Sequence, residues 1–193
     1  RQTCFKRCEK PRGESPGFFC IPMPRTPRDG LLPETGIINT RSCGTTERGD
    51  QCLKILVSAC LLGVNCRYDG GGALNNSVLA LMERHELIPV CPEILGGLPT
   101  PREPAEISVG RVRTISGIDV TEQYGRGAAE SLRLALLFGC SAALLKERSP
   151  SCGAGMVYDG TFSGKLVPGD GFTARLLRSR GIRVIPESGI GEL

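Results

Sequence analysis

The sequence predicts one α/β domain with a mostly parallel sheet flanked by helices. From residue 53 onward, short β-branched runs alternate with segments of helical periodicity, a pattern typical of parallel strands joined by helical crossovers. The 193-residue chain is 40% hydrophobic, which suits one globular domain of ordinary size. We therefore expect a single Rossmann-like domain over residues 53–193, preceded by a largely unstructured extension over residues 1–52.

Short apolar runs mark the strands of this domain. The clearest strands are KILVSA, ELIPVC, SAALLKE and IRVIPE, and GRVRTI is a briefer one. A helix is expected in NSVLALMERH, where Val78, Leu79 and Met82 share one face. A longer helix is expected in TEQYGRGAAESLRLALLFG, where apolar residues recur every four positions from Tyr124 to Leu136. A last helix follows PGDG and ends at RSRG.

The ten cysteines are unevenly placed, and half of them lie in residues 1–52. That segment is rich in proline and glycine and has no strand or helix periodicity, so it is predicted to be unstructured. A small metal-binding module built on Cys4, Cys8 and Cys20 is the alternative. Because no CxxC pair occurs there, the sequence favours an extension whose cysteines have no role.

Charge and hydropathy exclude several classes of partner. The net charge of +4 is small and spread along the chain, so a nucleic-acid polymer is an unlikely partner and a small molecule is favoured. No apolar run approaches the roughly 18 residues that span a bilayer, and the first residues lack the order of a secretory signal. We therefore expect a cytoplasmic protein without a membrane contact. The sequence carries no signal for an oligomeric state.

Three cysteines follow three of the predicted strands. Cys60 follows the first strand, Cys91 ends the second, and Cys152 lies just beyond SAALLKE. Because a parallel sheet binds ligands outside the carboxyl ends of its strands, these thiols are expected to converge on one edge. Glycines and prolines follow each cysteine and allow the chain to fold closely around a compact inorganic group. Three thiolates indicate an iron–sulfur or zinc site with one coordination position open.

Each of these cysteines could instead be a small buried hydrophobe, since free cysteine is among the most buried residue types. This interpretation is favoured for Cys140, which lies at a helix end. Cys66 could be a fourth ligand, a spare thiol or a packing residue. Convergence of Cys60, Cys91 and Cys152 favours a metal site for those three.

Four motifs resemble the thiouracil desulfidase family, catalogued as domain of unknown function 523. The motifs are SACLLGVNCRYDG, PVCPEILGGLPTPREPAE, LKERSPSCG and YDGTFSGKLVPGDGFTA. The resemblance covers about residues 53–186, and residues 1–52 match nothing in the family pattern. It implies an oxygen-sensitive [4Fe-4S] cluster held by three cysteines, whose open iron binds the sulfur of a thiolated uracil. Water then replaces that sulfur without net redox change.

At matching positions, the resemblance implies Cys60, Cys91 and Cys152 as cluster ligands and Glu93 and Ser149 as the acid–base pair. Glu93 follows a ligand closely enough in sequence to reach an attacking water, which agrees with this assignment. Its alternative role is that of a carboxylate at a helix start. Ser149 could instead only open a Ser-Pro turn.

Other polar residues near the motifs have simpler expectations. Asp69 is expected to shape a turn or to pair with Arg67, with a role at the site as the alternative. Arg102 and Glu103 are expected in the pocket wall. His85, the sole histidine, is expected at the surface near a helix end, which disfavours Ser-His or Cys-His catalysis.

The expected function is the non-redox desulfuration of a small-molecule thiolated nucleobase, from C=S to C=O with release of sulfide. Two other classes remain open. A zinc-dependent hydrolase would need a histidine or a CxxC pair near a catalytic glutamate, and the sequence offers neither. A non-catalytic iron–sulfur or zinc module, acting as a sensor or carrier, would use the same cysteines without turnover.

Overall fold

A computed structural model describes residues 52–193. The prediction of an unstructured extension concerns residues 1–52, and its metal-binding alternative concerns Cys4, Cys8 and Cys20. Apart from Cys52, these residues lie outside the described part of the chain. No helix within the described part of the chain is long and apolar enough to cross a membrane. The elements described below all follow Cys52.

The described residues form eight strands and four α-helices, joined by loops and 3-10 turns. The strands are β1 (Lys54–Ser58), β2 (Glu86–Val90), β3 (Ala105–Ser108), β4 (Arg111–Thr114), β5 (Ala142–Leu145), β6 (Met156–Tyr158), β7 (Leu166–Pro168) and β8 (Arg183–Pro186). The helices are α1 (Asn76–Ala80), α2 (Pro92–Leu95), α3 (Thr121–Phe138) and α4 (Phe172–Ser179). Short 3-10 turns follow β1, α1 and β8.

A four-stranded parallel sheet forms the centre of the domain, in the order β2-β1-β5-β8. The four clearest predicted strands are the four strands of this sheet. Proline is found in β2 at Pro89 and at the end of β8 at Pro186, the two edge strands, where a missing backbone donor costs least. The predicted mostly parallel sheet is confirmed.

Both faces of the sheet are buried. Along β1, Leu56 packs into a core formed with α3 and α4, whereas Ile55 and Val57 pack into the core that contains Val78 of α1. This division follows from the alternation of side chains along a strand. Helices therefore cover the sheet as the sequence predicts.

Two helix faces differ from the prediction. In α1, Val78 is buried but Leu79 and Met82 are exposed. Leu79 lies about 100° around the helix from Val78, and the helix passes into a 3-10 turn after Ala80, before it reaches Met82. In α3, Leu136 is 60% exposed. A stripe of every fourth residue drifts by about 40° per step around an α-helix, so Ala135 occupies the buried position instead.

His85 lies in the interior, and its prediction as a surface residue is wrong. Its side chain is 6% exposed. The ring Nδ1 accepts a hydrogen bond from the backbone N–H of Leu53 at 3.3 Å, just before β1. The ring thus packs at the start of the central strand, a long-range contact that a lone histidine near a helix end does not reveal.

Two antiparallel hairpins stand apart from the main sheet. The strands β3 and β4 pair with each other, as do β6 and β7, and each pair forms its own two-stranded sheet. The chain passes from β1 to β2 on one side and later returns to β5 on the other side of β1. In such sheets the binding crevice lies at the carboxyl ends of the strands where the order reverses. This fold therefore places its crevice beyond β1 and β5.

Candidate active site

A cavity of about 550 Å³ lies beyond the carboxyl ends of β1, β2 and β5. The two central strands are joined at its floor, because the Ser58 hydroxyl accepts a hydrogen bond from the backbone N–H of Lys146 at 2.9 Å. Among the side chains that line this cavity, those able to bind a metal or transfer a proton include Cys60, Cys66, Cys91, Glu93, Ser149 and Cys152. The predicted cluster ligands Cys60, Cys91 and Cys152 and the predicted acid–base pair Glu93 and Ser149 thus line one cavity.

Each of the three predicted thiol ligands is placed by a strand end. Cys60 lies in the 3-10 turn Ala59–Leu62 that directly follows β1. Cys91 lies between β2 and α2, where Pro92 occupies the first position of the helix as proline prefers. Cys152 lies in the loop after β5. The expected convergence of Cys60, Cys91 and Cys152 is therefore present in the fold.

Cys66 is a fourth thiol in the same wall. It is buried, and its thiol contacts those of Cys60 and Cys91. The Cys60 thiol, together with burial, raises the pKa of Cys66 to about 11, and burial raises the pKa of Cys152 to about 12. The Cys66 thiol and burial also raise the pKa of Cys91. These thiols are protonated near neutral pH until a metal displaces the proton.

The donor set fits an iron–sulfur cluster. Four soft sulfur donors surround the cavity, and thiolates are the usual ligands of such clusters. Within residues 52–193, no group of three or more His, Cys, Asp or Glu side chains could hold a single metal ion. The thiols lie in the wall of a cavity of about 550 Å³, many times the volume of one water molecule, which leaves room for a cluster beside them.

Glu93 reaches the cavity from the first turn of α2. The guanidinium of Arg102 contacts one carboxylate oxygen of Glu93 twice, with Nε 2.7 Å and Nη2 2.5 Å from Oε2. The side chains of Arg102 and Glu93 are 7% and 13% exposed. The predicted place of Arg102 in the pocket wall is confirmed, and it forms a buried ion pair there.

The hydroxyl of Ser149 connects this carboxylate to the Cys152 loop. Its Oγ accepts hydrogen bonds from the backbone N–H groups of Ser151 and Cys152, both at 3.1 Å. The same Oγ donates to Glu93 Oε1 at 3.4 Å. Ser149 therefore shapes the turn, as one interpretation expected, and also faces the carboxylate.

Tyr124 of α3 forms the part of the wall next to Glu93. Its ring is buried, and it makes an edge-to-face contact with Phe172 at a centroid distance of 6.5 Å. Burial, followed by the charge of Glu93, raises the pKa of Tyr124. The phenol is therefore neutral beside the carboxylate at all ordinary pH values.

Two glycines let α2 lie directly against α3. A Cβ on Gly127 would be 1.9 Å from the carbonyl oxygen of Pro92, and one on Gly96 would be 2.1 Å from that of Gln123. Arg126 of α3 also donates to the carbonyl oxygen of Gly96 through Nε at 3.0 Å. Backbone contact between the helices thus fixes the segment that carries Cys91 and Glu93.

The two hairpins supply the outer wall of the cavity. Ile115 follows β4, whereas Tyr158 and Phe162 come from the β6–β7 hairpin. The buried carboxylate of Glu106 in β3 accepts hydrogen bonds from the backbone N–H groups of Gly160 at 2.9 Å and Phe162 at 3.0 Å. Glu106 thereby joins the two hairpins in the wall of the cavity.

Two polar residues lie outside the cavity. Asp69 accepts a hydrogen bond from the Gly71 N–H at 2.9 Å and pairs with Arg67 at 3.2 Å, as expected for a turn residue. Glu103 is exposed and contacts Ser116 at 2.5 Å, so its predicted place in the pocket wall is wrong. Its neighbour Arg102 turns inward.

Sequence reasoning missed Tyr124, Glu106 and Phe162 as wall residues. Tyr124 was assigned to the core stripe of its helix, and a helical period does not distinguish a core position from a cavity wall. The carboxylate of Glu106 meets residues more than fifty positions later in the chain. No local pattern indicates such a contact.

Fold and cavity together define an α/β protein with a cysteine-lined site at the strand-order reversal of a parallel sheet. A family model described as 2-thiouracil desulfurase matches residues 55–189. This chain belongs to the 2-thiouracil desulfurase family. The resemblance read from its motifs is therefore confirmed.

Two relatives support this assignment. The chain is 47% identical over 149 residues to the uncharacterized protein YbbK of Bacillus subtilis (strain 168), covering 72% of this chain and 99% of that protein. A solved structure described as the [4Fe-4S]-dependent thiouracil desulfidase TudS is 49% identical, with a TM-score of 0.68. The match covers 73% of this chain and 95% of that one.

Proposed function

We propose that this protein desulfurates small thiolated uracil-type bases. Water replaces the sulfur of a C=S group, which leaves C=O and releases sulfide without net redox change. The observation that carries the proposal is the meeting of Cys60, Cys91 and Cys152 with Glu93 and Ser149 around one cavity. The 49% identity to a [4Fe-4S]-dependent thiouracil desulfidase supports the same chemistry.

Cys60, Cys91 and Cys152 are the proposed ligands of a [4Fe-4S] cluster. Such a group with three protein ligands supplies one open iron, a soft Lewis acid that polarises a C=S bond and accepts sulfide. Cys66 lies beside these thiols, and we propose that it packs against them without binding iron. The contact of its thiol with those of Cys60 and Cys91 supports this packing role.

Glu93 is the proposed proton acceptor for the attacking water. One of its oxygens is occupied by Arg102, and the other faces Ser149 across the cavity wall. A carboxylate within hydrogen-bond reach of a water directs it and removes its proton as the C–O bond forms. The ion pair with Arg102 holds the carboxylate in place for this step.

Ser149 is the proposed hydrogen-bond donor of the site. A serine hydroxyl has one hydrogen and two acceptor lone pairs, and two backbone N–H groups already use the acceptor capacity of this oxygen. Its hydrogen remains for Glu93 or for a polar group of the base. Ser149 therefore supplies a proton or orients the substrate, whereas Glu93 accepts a proton.

The wall fits a planar ring. Tyr124, Tyr158 and Phe162 line the cavity, and aromatic side chains of this kind bind flat, polar-edged molecules while excluding water. A free base or a small derivative of one suits a cavity of about 550 Å³. These features support a small thiolated base as the substrate.

Residues 53–193 are the proposed catalytic unit. The parallel sheet, its two cores and every wall residue of the cavity lie in this part of the chain. A protein lacking residues 1–52 is expected to keep the iron content and rate of the full chain. Loss of either would place part of the site in the removed segment.

The decisive experiment is anaerobic reconstitution of the full chain followed by a thiobase assay. Iron and acid-labile sulfide are measured first, and release of sulfide from 2-thiouracil and 4-thiouracil is then followed together with formation of uracil. The expected result is a brown protein that releases sulfide and forms uracil in equal amounts. A zinc-loaded preparation is the matched control and should be inactive.

Two results would contradict the proposal. Cluster-loaded protein that releases no sulfide from either thiobase would indicate a non-catalytic module. Colourless protein with stoichiometric zinc and hydrolytic activity would indicate a zinc-dependent hydrolase.

A further inference from the structure

We propose that Arg102 is a positioning residue that fixes the orientation of the Glu93 carboxylate, so that its unpaired oxygen faces the substrate. The inference rests on the proposed function, because Glu93 is the proton acceptor of that proposal. The contacts of the Arg102 guanidinium support the inference independently. Its three nitrogen atoms all donate hydrogen bonds, to Glu93 and to acceptors elsewhere in the wall.

The contact with Glu93 distinguishes the two carboxylate oxygens. Both Nε and Nη2 of Arg102 donate to Oε2, at 2.7 Å and 2.5 Å, and Oε1 is left facing the Ser149 hydroxyl at 3.4 Å. The terminal torsion of a glutamate side chain is broad, so a carboxylate without such a contact rotates easily away from any one direction. Two donors on one oxygen keep the other directed at Ser149.

Other contacts hold the guanidinium independently of Glu93. Nη1 donates to the carbonyl oxygen of Pro99 at 3.0 Å and to the hydroxyl of Thr100 at 3.2 Å. Nη2 also donates to the carbonyl oxygen of Cys66 at 3.1 Å. A planar fork of donors can satisfy all these acceptors at once, whereas a lysine ammonium cannot reproduce the arrangement.

The backbone of Arg102 also contacts the segment around Cys66, and so connects that segment to Glu93. Its N–H donates to the carbonyl oxygen of Tyr68 at 2.8 Å. Arg102 thus contacts the segment that contains Cys66 through backbone and side chain, and contacts Glu93 at its other edge. The position of the carboxylate is therefore set relative to the chain that follows Cys60.

Stability alone is a weak reason for such a pair. Both side chains are nearly buried, and the cost of desolvating two charges offsets most of their attraction. A carboxylate that opens onto a cavity gains instead from a fixed direction, because a misplacement of about 1 Å can cost about 10²-fold in rate. The need to orient the Glu93 carboxylate therefore explains why an arginine with an acceptor for every guanidinium N–H lies at this place in the wall.

The test compares Arg102→Ala with the wild type, both as full chains carrying the cluster. We expect kcat for sulfide release from 2-thiouracil to fall by roughly 10² while KM changes less than about threefold. Added guanidinium should restore part of kcat, and methylammonium should not. Arg102→Lys should also lose most of kcat. Arg111→Ala is the matched control, because Arg111 pairs with Asp119 at 2.8 Å on the exposed side of β4 and lies outside the cavity.

A double-mutant cycle shows whether the effect acts through Glu93. In a Glu93→Gln background, Arg102→Ala should lower kcat by less than about threefold, because the proton acceptor is already absent. An equal loss in both backgrounds would overturn the inference, as would a loss confined to KM. If Arg102→Ala does not fold, Arg102→Lys replaces it, and wild-type kcat in Arg102→Lys would also overturn it.

A second measurement separates this inference from the proposed function. The Tm values of the same four proteins report the contact between Arg102 and Glu93 without any need for catalytic turnover. Losses in Tm that are less than additive support the pairing of Arg102 with Glu93, and strictly additive losses overturn it. A cluster-loaded wild type that releases no sulfide from thiouracil refutes the proposed function, and the unfolding cycle then still tests the pairing of Arg102 with Glu93.

Discussion

The Ser149 hydroxyl accepts a hydrogen bond from the backbone N–H of Cys152 at 3.1 Å. The same oxygen lies 3.4 Å from a carboxylate oxygen of Glu93. One side chain therefore supports the backbone of a proposed ligand and also faces the proposed proton acceptor. Removal of this hydroxyl should affect both iron binding and rate.

Ser149→Ala is expected to lower the free energy of unfolding by about 2 kcal/mol, because the N–H groups of Ser151 and Cys152 lose their acceptor. Iron per chain should fall together with the rate of sulfide release. Ser149→Thr keeps a hydroxyl and should retain most of both. Urea unfolding and iron analysis of the three proteins check this, and unchanged iron and stability in Ser149→Ala would contradict it.

Glu93→Gln should separate the cluster from the chemistry. The amide is nearly isosteric with the carboxylate but cannot accept a proton, so the variant should keep its iron and lose about 10²-fold or more of kcat. Glu103→Gln is the matched control, since Glu103 is exposed and lies outside the cavity. Near-normal sulfide release by Glu93→Gln would refute the assignment.

The ligand assignment is tested by removing the thiols one at a time. Cys60→Ala, Cys91→Ala and Cys152→Ala should each lose the iron signal, because each thiolate holds one of the three irons that the protein binds in the proposed cluster. Cys66→Ala should keep it. Cys140→Ala is the control, since Cys140 packs in the core formed with α3 and α4. Full iron occupancy in Cys91→Ala together with loss of iron in Cys66→Ala would show that Cys66 is the ligand and that Cys91 is the packing residue.

Gly127→Ala should disturb the site through the backbone of α2. The added Cβ would lie 1.9 Å from the Pro92 carbonyl oxygen, so the helices must separate at a cost of about 1–3 kcal/mol. Both Cys91 and Glu93 move with α2, and iron content and rate should fall. Gly125→Ala in the same helix meets nothing within 4 Å and should be stabilising by up to about 1 kcal/mol. Equal stability of the two variants would contradict the importance of this contact.

The sheet could be predicted from the sequence because its strands are short apolar runs, each with a local signal. The convergence of the thiols followed from topology, since parallel strands bring their carboxyl ends to one edge. The ion pair between Arg102 and Glu93 could not be predicted, because it depends on how a proline-rich loop folds back across nine residues. Likewise, the drift of α3 away from a four-residue repeat exposes Leu136.

The separation between the parallel sheet and the two hairpins has an evolutionary consequence. The thiols and Glu93 follow strands of the main sheet, whereas Ile115, Tyr158 and Phe162 belong to hairpins that form their own small sheets. Insertions or exchanges in the hairpins can reshape the outer wall of the cavity without moving the strand ends. A lineage could thus acquire new substrates by altering the hairpins alone, and an engineer seeking the same result should graft hairpins and preserve the sheet.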